Sequence, residues 1–119
     1  MVDVFAGLLV SDYAKARPWY ERLFGAPPSF DAHETESVWE LSEHAFVYIN
    51  EDHARAGHSA VTIFVDDLDA FVDAIQARGI EPAQRETYSN GVRKATYRDG
   101  DGNEIGFGGP PTDAEDQRG

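Results

Sequence analysis

An internal repeat limits what this chain can fold into. Ala60-Val61-Thr62-Ile63-Phe64-Val65-Asp66-Asp67 mirrors Phe5-Ala6-Gly7-Leu8-Leu9-Val10-Ser11-Asp12 at an offset of 55 residues. Each copy is an apolar run of strand length that ends in side chains able to cap a helix. The offset then continues at helical spacing, where Leu68, Phe71 and Ile75 answer Tyr13, Ala16 and Tyr20. Gly79 stops the second helix as Gly25 stops the first, with one residue lost between them. After the first helix, Ser29 to His33, Ser37 to Leu41 and Ala45 to Ile49 read as three strands, the last two joined by a Ser42-Glu43-His44 turn. Ile80 to Tyr88, Gly91 to Asp99 and Asn103 to Gly109 are the three matching strands of the second copy.

A strand, a helix and three strands cannot bury a sheet face alone, so two neighbouring copies are expected to pair. The predicted fold is α+β: two βαβββ modules, about 2–51 and 58–109, pairing into a curved eight-stranded surface with a concave cleft. They form a single domain over 2–109, joined by the polar stretch Asn50 to Gly57, and 110–119 is expected to be an acidic flexible tail. Pro18 is the one local conflict, since inside a helix it removes a hydrogen bond and clashes one turn back. It is expected to delay the start of that helix or to bend it near Ala14.

The chain closes on a hairpin, Tyr97-Arg98-Asp99-Gly100-Asp101-Gly102-Asn103-Glu104-Ile105-Gly106-Phe107, whose Asp-Gly and Gly-Asn steps supply the turn. Asp99, Asp101 and Asn103 alternate as in a calcium loop. A calcium loop, however, needs Gly where this chain has Glu104 and a bidentate Glu where it has Pro110. With its hairpin string RDGDGNEIGF, its VSD helix start and its Gly stop in this order, the chain resembles the vicinal-oxygen-chelate superfamily over residues 2 to 109. That superfamily holds glyoxalase I, bleomycin-resistance proteins, fosfomycin-resistance enzymes and extradiol dioxygenases.

The resemblance implies a fold and, for the metal-using members, four inward-facing ligands. Those ligands are His or Glu early in the first and fifth strands, and Glu within the fourth and eighth. Carried over by position, they fall on Phe5, on Ala60, on Tyr48 or Ile49, and on Gly106, none of which is a usual divalent-metal ligand. The likeness is therefore to the metal-free bleomycin-resistance branch, and no metal or cofactor is expected. A displaced set built on His58 and Glu104, with a third ligand from His44, His53 or a partner subunit, is the alternative.

Alternation from Phe5 and Ala60 turns Gly7, Leu9, His58, Thr62 and Phe64 into the cleft as well. The candidate ligand-binding residues are Phe5, Trp39, Tyr48, His58, Thr62, Tyr97 and Glu104. A slip of one residue in register would reverse each assignment. Glu40 and Glu104 are the available acid-base side chains, and no catalytic residue is assigned.

Composition narrows the partners. No cysteine is present, which excludes disulfides, thiolate metal sites and thiol nucleophiles. Twenty-two acids against ten bases give a net charge of −12, of which the acidic tail holds only −2. Such a surface repels nucleic acid and anionic membrane and favours cationic or neutral ligands. No apolar run approaches the ~20 residues of a membrane span, and Met1 opens no secretory leader, so a cytoplasmic protein is expected.

The function these readings predict is metal-free binding, by a homodimer, of a cationic aromatic small molecule such as an antibiotic. The alternative is a lyase, isomerase or dioxygenase of the same fold, using the displaced metal set or an acid-base pair.

Overall fold

The structure is a computed structural model that describes residues 1–112. The chain runs β1 (Val4–Val10), α1 (Tyr13–Phe24), β2 (Phe30–His33), β3 (Glu36–Ser42), β4 (Ala45–Glu51), β5 (Ala60–Phe64), α2 (Leu68–Ala77), β6 (Gln84–Thr87), β7 (Arg93–Arg98) and β8 (Glu104–Gly109). This is the predicted α+β pair of βαβββ modules. The eight strands form two four-stranded sheets that do not close on each other, ordered β1-β4-β3-β2 and β5-β8-β7-β6. Most of the tail expected from 110 lies outside the described residues.

Both helices start where their caps dictate. The Asp12 side chain accepts from Lys15 N and that of Asp67 from Ala70 N, each cap worth about 1 kcal/mol. Pro18 lies inside α1, yet the helix begins at Tyr13, directly after its cap. Its first turn is anchored: Glu51 Oε1 accepts from Tyr13 N at 3.0 Å, and Asp12 O accepts from Ala16 N at 3.0 Å. Those bonds offset the donor that proline lacks.

The two faces of each sheet are sorted by alternation. On the helix-bearing side, Leu8, Val10, Val47 and Ile49 of one module and Ile105, Phe107, Ala95 and Tyr97 of the other are buried. With Tyr20, Leu23, Val72 and Ile75 from the helices, they join a single apolar cluster that runs through both modules. The opposite faces stay open, leaving Phe5 half exposed and Phe64 62% exposed.

The closing hairpin bolts the second module to the first. Asp101 accepts from Ser11 N at 3.0 Å and from Ser11 Oγ at 2.6 Å, while Tyr20 Oη donates to Asp99 Oδ2 at 2.6 Å. Buried Asn103 donates through Nδ2 to Leu9 O and accepts through Oδ1 from Ser59 N. Burial and the adjacent Asp99 carboxylate push the Tyr20 hydroxyl far above its ordinary pKa.

Candidate functional site

The open faces and the groove between the modules make up the candidate site. The groove has a volume of about 560 Å³ and is bordered by the edge strands β1 and β5. Glu40 and Phe46 of the first sheet and Thr62 and Phe64 of the second line it, with Phe24 and Phe71 from the helices. It is largely apolar, as small-molecule sites usually are.

The first sheet contributes an aromatic platform. β1 pairs in parallel with β4, setting Phe5 beside Phe46 and Gly7 beside Tyr48. The Phe5 and Phe46 rings stack with centroids 4.4 Å apart and planes within 7°. Glu40 is the antiparallel partner of Phe46, so an exposed carboxylate flanks the stack. The Tyr48 ring lies over Gly7, where a Cβ would overlap Cζ and the hydroxyl.

The second sheet contributes polar groups. β5 pairs in parallel with β8, so Ala60 sits beside Glu104, Thr62 beside Gly106 and Phe64 beside Gly108. Glu104 is exposed and takes an ion pair from Arg98 at 3.3 Å. The Phe64 ring covers Gly108, and the Lys94 side chain covers Gly106.

Of the residues expected to face the cleft, Phe5, Tyr48, Thr62 and Glu104 lie on the open faces, while His58 is exposed just before β5. Trp39 and Tyr97 do not belong with them, and the sequence reading is corrected for both. Trp39 is 3% exposed and packs on Tyr20 and Phe24, its Nε1 donating to Ala26 O at 2.9 Å. Tyr97 is fully buried against Phe107. Both occupy helix-facing positions, beside core Val47 and Ile105 respectively, where a large ring gains more from core burial than from solvent. The sequence reading did not name two further side chains of the open faces, Phe46 and Lys94. Phe46 becomes visible only once the β1–β4 register is known, and Lys94 emerges once Tyr97 is assigned to the core, because alternation then sets Lys94, Thr96 and Arg98 on the face opposite the helix.

The register also fixes the metal-position question. Tyr48 holds in the first sheet the place that Gly106 holds in the second, opposite Gly7 and Thr62 respectively, while Ile49 is in the core. The four positions are therefore Phe5, Tyr48, Ala60 and Gly106. Such a set does not fit a divalent metal, which would find one phenol and no imidazole or carboxylate. Nor do the described residues bring together any group of three or more His, Asp or Glu side chains able to hold a metal ion. His44 is instead engaged with Asp3 at 2.7 Å, and Glu104 with Arg98.

Paired βαβββ modules with an open cleft face define a class of small α+β proteins built by duplication. The family model for the glyoxalase/bleomycin resistance protein/dioxygenase superfamily matches residues 2–107, and the chain belongs to that family. It is similar to a glyoxalase/bleomycin resistance protein from Catenulispora acidiphila, at 50% identity and a TM-score of 0.90, covering 93% of this chain and 100% of that one. A bleomycin-binding protein complexed with bleomycin shares the fold at 18% identity and a TM-score of 0.74, over 92% of this chain and 98% of that one. TnmS3, an antibiotic-binding protein from a Streptomyces species, does so at 22% identity and a TM-score of 0.70, over 92% and 96%. Among curated proteins none matches. No helix among the described residues is long and apolar enough to cross a membrane.

Proposed function

We propose that this chain is a metal-free binding protein that sequesters a planar, cationic aromatic compound, such as an antibiotic, as a homodimer in the cytoplasm. The observation that carries this reading is the exposed Phe5–Phe46 stack beside Glu40 at the mouth of an apolar groove. Stacked rings offer a flat face to another ring, and a neighbouring carboxylate favours positive charge on it. The net charge of −12 acts in the same direction at longer range. Likeness to antibiotic-binding proteins supports the class of ligand without naming it. The alternative enzyme would need a metal set or an acid-base pair, and Glu104, one of the two candidate acids, is already tied to Arg98.

Calorimetric titration with 2-naphthylmethylammonium and its neutral isostere 2-naphthylmethanol tests the reading, on protein purified without chelator and analysed for metals. The ammonium is expected to bind more tightly, Phe5→Ala to weaken both probes about tenfold through the lost stacking, and the metals to be substoichiometric. Failure of both probes to bind would refute it, as would one tightly held metal per chain that is lost in His58→Ala.

A further inference from the structure

We propose that Lys94, with the Thr62 hydroxyl, is an oxyanion-binding point in this site, so that the ligand carries an acidic oxygen as well as its aromatic cation. The proposal rests on the binding-site reading above and names the second half of the ligand's chemistry.

The placement of Lys94 follows from two glycines on β8. Lys94 is the cross-strand partner of Gly108, but the Phe64 ring already fills the space over that residue. The Lys94 chain crosses instead to Gly106, where a Cβ would overlap its Cε. From that same point Lys94 Nζ is 3.4 Å away and Thr62 Oγ1 3.5 Å, so an ammonium and a hydroxyl converge over a bare stretch of backbone.

Lys94 is held there without an ion pair. It forms no salt bridge with any described carboxylate. Its neighbour across β6, Glu86, takes a hydrogen bond from Tyr88 Oη at 3.3 Å, and Arg98 satisfies Glu104. An unneutralised cation with a hydroxyl donor beside it suits a carboxylate, phenolate or enolate oxygen, since hydrogen bonds to ionised oxygen are about twice as strong as neutral ones. Thr62 lines the groove that Glu40 and Phe46 line from the other sheet. Lys94 stands beside Thr62 over Gly106, so base and hydroxyl on the second sheet complement the acid and aromatic surface of the first, which fits an amphoteric aromatic molecule.

The test adds 2-naphthoate to the two probes above and compares wild type with Lys94→Met, which keeps a flexible apolar chain over Gly106, and with Lys94→Arg. Naphthoate affinity is expected to fall about tenfold in Lys94→Met, the size of one charge-assisted hydrogen bond, and to survive in Lys94→Arg. Affinity for the neutral and ammonium probes should stay within twofold. Thr62→Val, which removes only the hydroxyl, should weaken naphthoate alone. Because the whole protein repels anions, such a loss reports local contact with Lys94. Unchanged naphthoate binding in Lys94→Met, or an equal loss for all three probes, overturns the assignment of Lys94 and leaves the binding-site reading standing. Absence of binding by any probe to the wild type overturns both.

Discussion

Replacing Asn103 tests whether the closing hairpin makes one folding unit of the two modules. Asn103 is fully buried, and its side chain donates to Leu9 O at 2.7 Å and Asp99 Oδ2 at 2.8 Å while accepting from Ser59 N at 2.9 Å. In Asn103→Ala, Leu9 O keeps the Gly57 amide at 3.3 Å and Asp99 Oδ2 keeps the Tyr20 hydroxyl at 2.6 Å, but the Ser59 amide loses its acceptor. The stranded amide costs about 1–3 kcal/mol and each of the other lost bonds about 1 kcal/mol, giving roughly 3–5 kcal/mol in total. That is a large share of a stability normally near 5–15 kcal/mol.

Asn103→Asp separates hydrogen bonding from shape. It keeps the acceptor for Ser59 N but turns a carboxylate oxygen toward Asp99 Oδ2 and Leu9 O. Two buried carboxylates in contact raise the pair's folded-state pKa above the unfolded value of about 4. A group raised in this way contributes its stability below the unfolded pKa and loses it as pH rises through the folded one. At pH 7 this variant should be less stable than Asn103→Ala, and it should recover toward pH 4. Urea unfolding is the assay, followed both by fluorescence of Trp19 and Trp39, which report the first module, and by far-UV circular dichroism, which reports both. Wild type should give coincident transitions, and the alanine variant a midpoint lower by roughly 2 M at an ordinary urea slope. An alanine variant within about 1 kcal/mol of wild type refutes the reasoning.

Two further outcomes follow from the same structure. Folding holds the hydroxyls of Tyr20 and Tyr97 neutral, by burial in both and beside Asp99 in the first, so their stabilisation is complete below about pH 10 and is lost as pH rises beyond it. Absorbance at the phenolate band should therefore rise together with unfolding, and Tyr20→Phe should soften the alkaline limb; free ionisation of all five tyrosines in the folded protein would contradict this. Exposed Val2, Val4 and Phe30 are apolar surface that a second copy would cover, so sedimentation at micromolar concentration should give twice the chain mass. A clean monomer there removes the homodimer.

The fold was legible in the sequence because repeat, caps and turn chemistry all point the same way. The same 55-residue offset aligns the strands, the Asp12 and Asp67 caps and the helix ends, and no competing pattern matches it. The site was legible only in part, because a sheet's two faces differ by a single residue of register. Phe5 was placed by the family resemblance and Thr62 by alternation from Ala60, whereas Trp39 and Tyr97 were chosen for their chemistry, and aromatic chemistry serves a core as well as a pocket. The late start expected from Pro18 is absent for another reason. Its penalty is local, while the carboxylate that holds the first amide of the helix belongs to Glu51, which is distant in sequence.

The repeat also accounts for how one scaffold can present opposite chemistry on its two walls. Gly7 and Thr62 are equivalent in register, as are Tyr48 and Gly106. In the first module the glycine is on the edge strand and its inner-strand neighbour, Tyr48, folds over it. In the second the glycine is on the inner strand, and the void is filled from β7 by Lys94. The backbone frame is the same, and moving one missing Cβ by one strand changes the group that fills the space from a phenol to an ammonium. Neither solution leaves a carboxylate at the positions from which metal-using relatives hold their ion, and each fills space that such a side chain would need. Restoring one ligand, by Gly106→Glu for example, would drive the new side chain into Lys94 and pair with it rather than create a metal site. Recovery of metal binding from this frame thus requires clearing Lys94 and Tyr48 before any ligand is added.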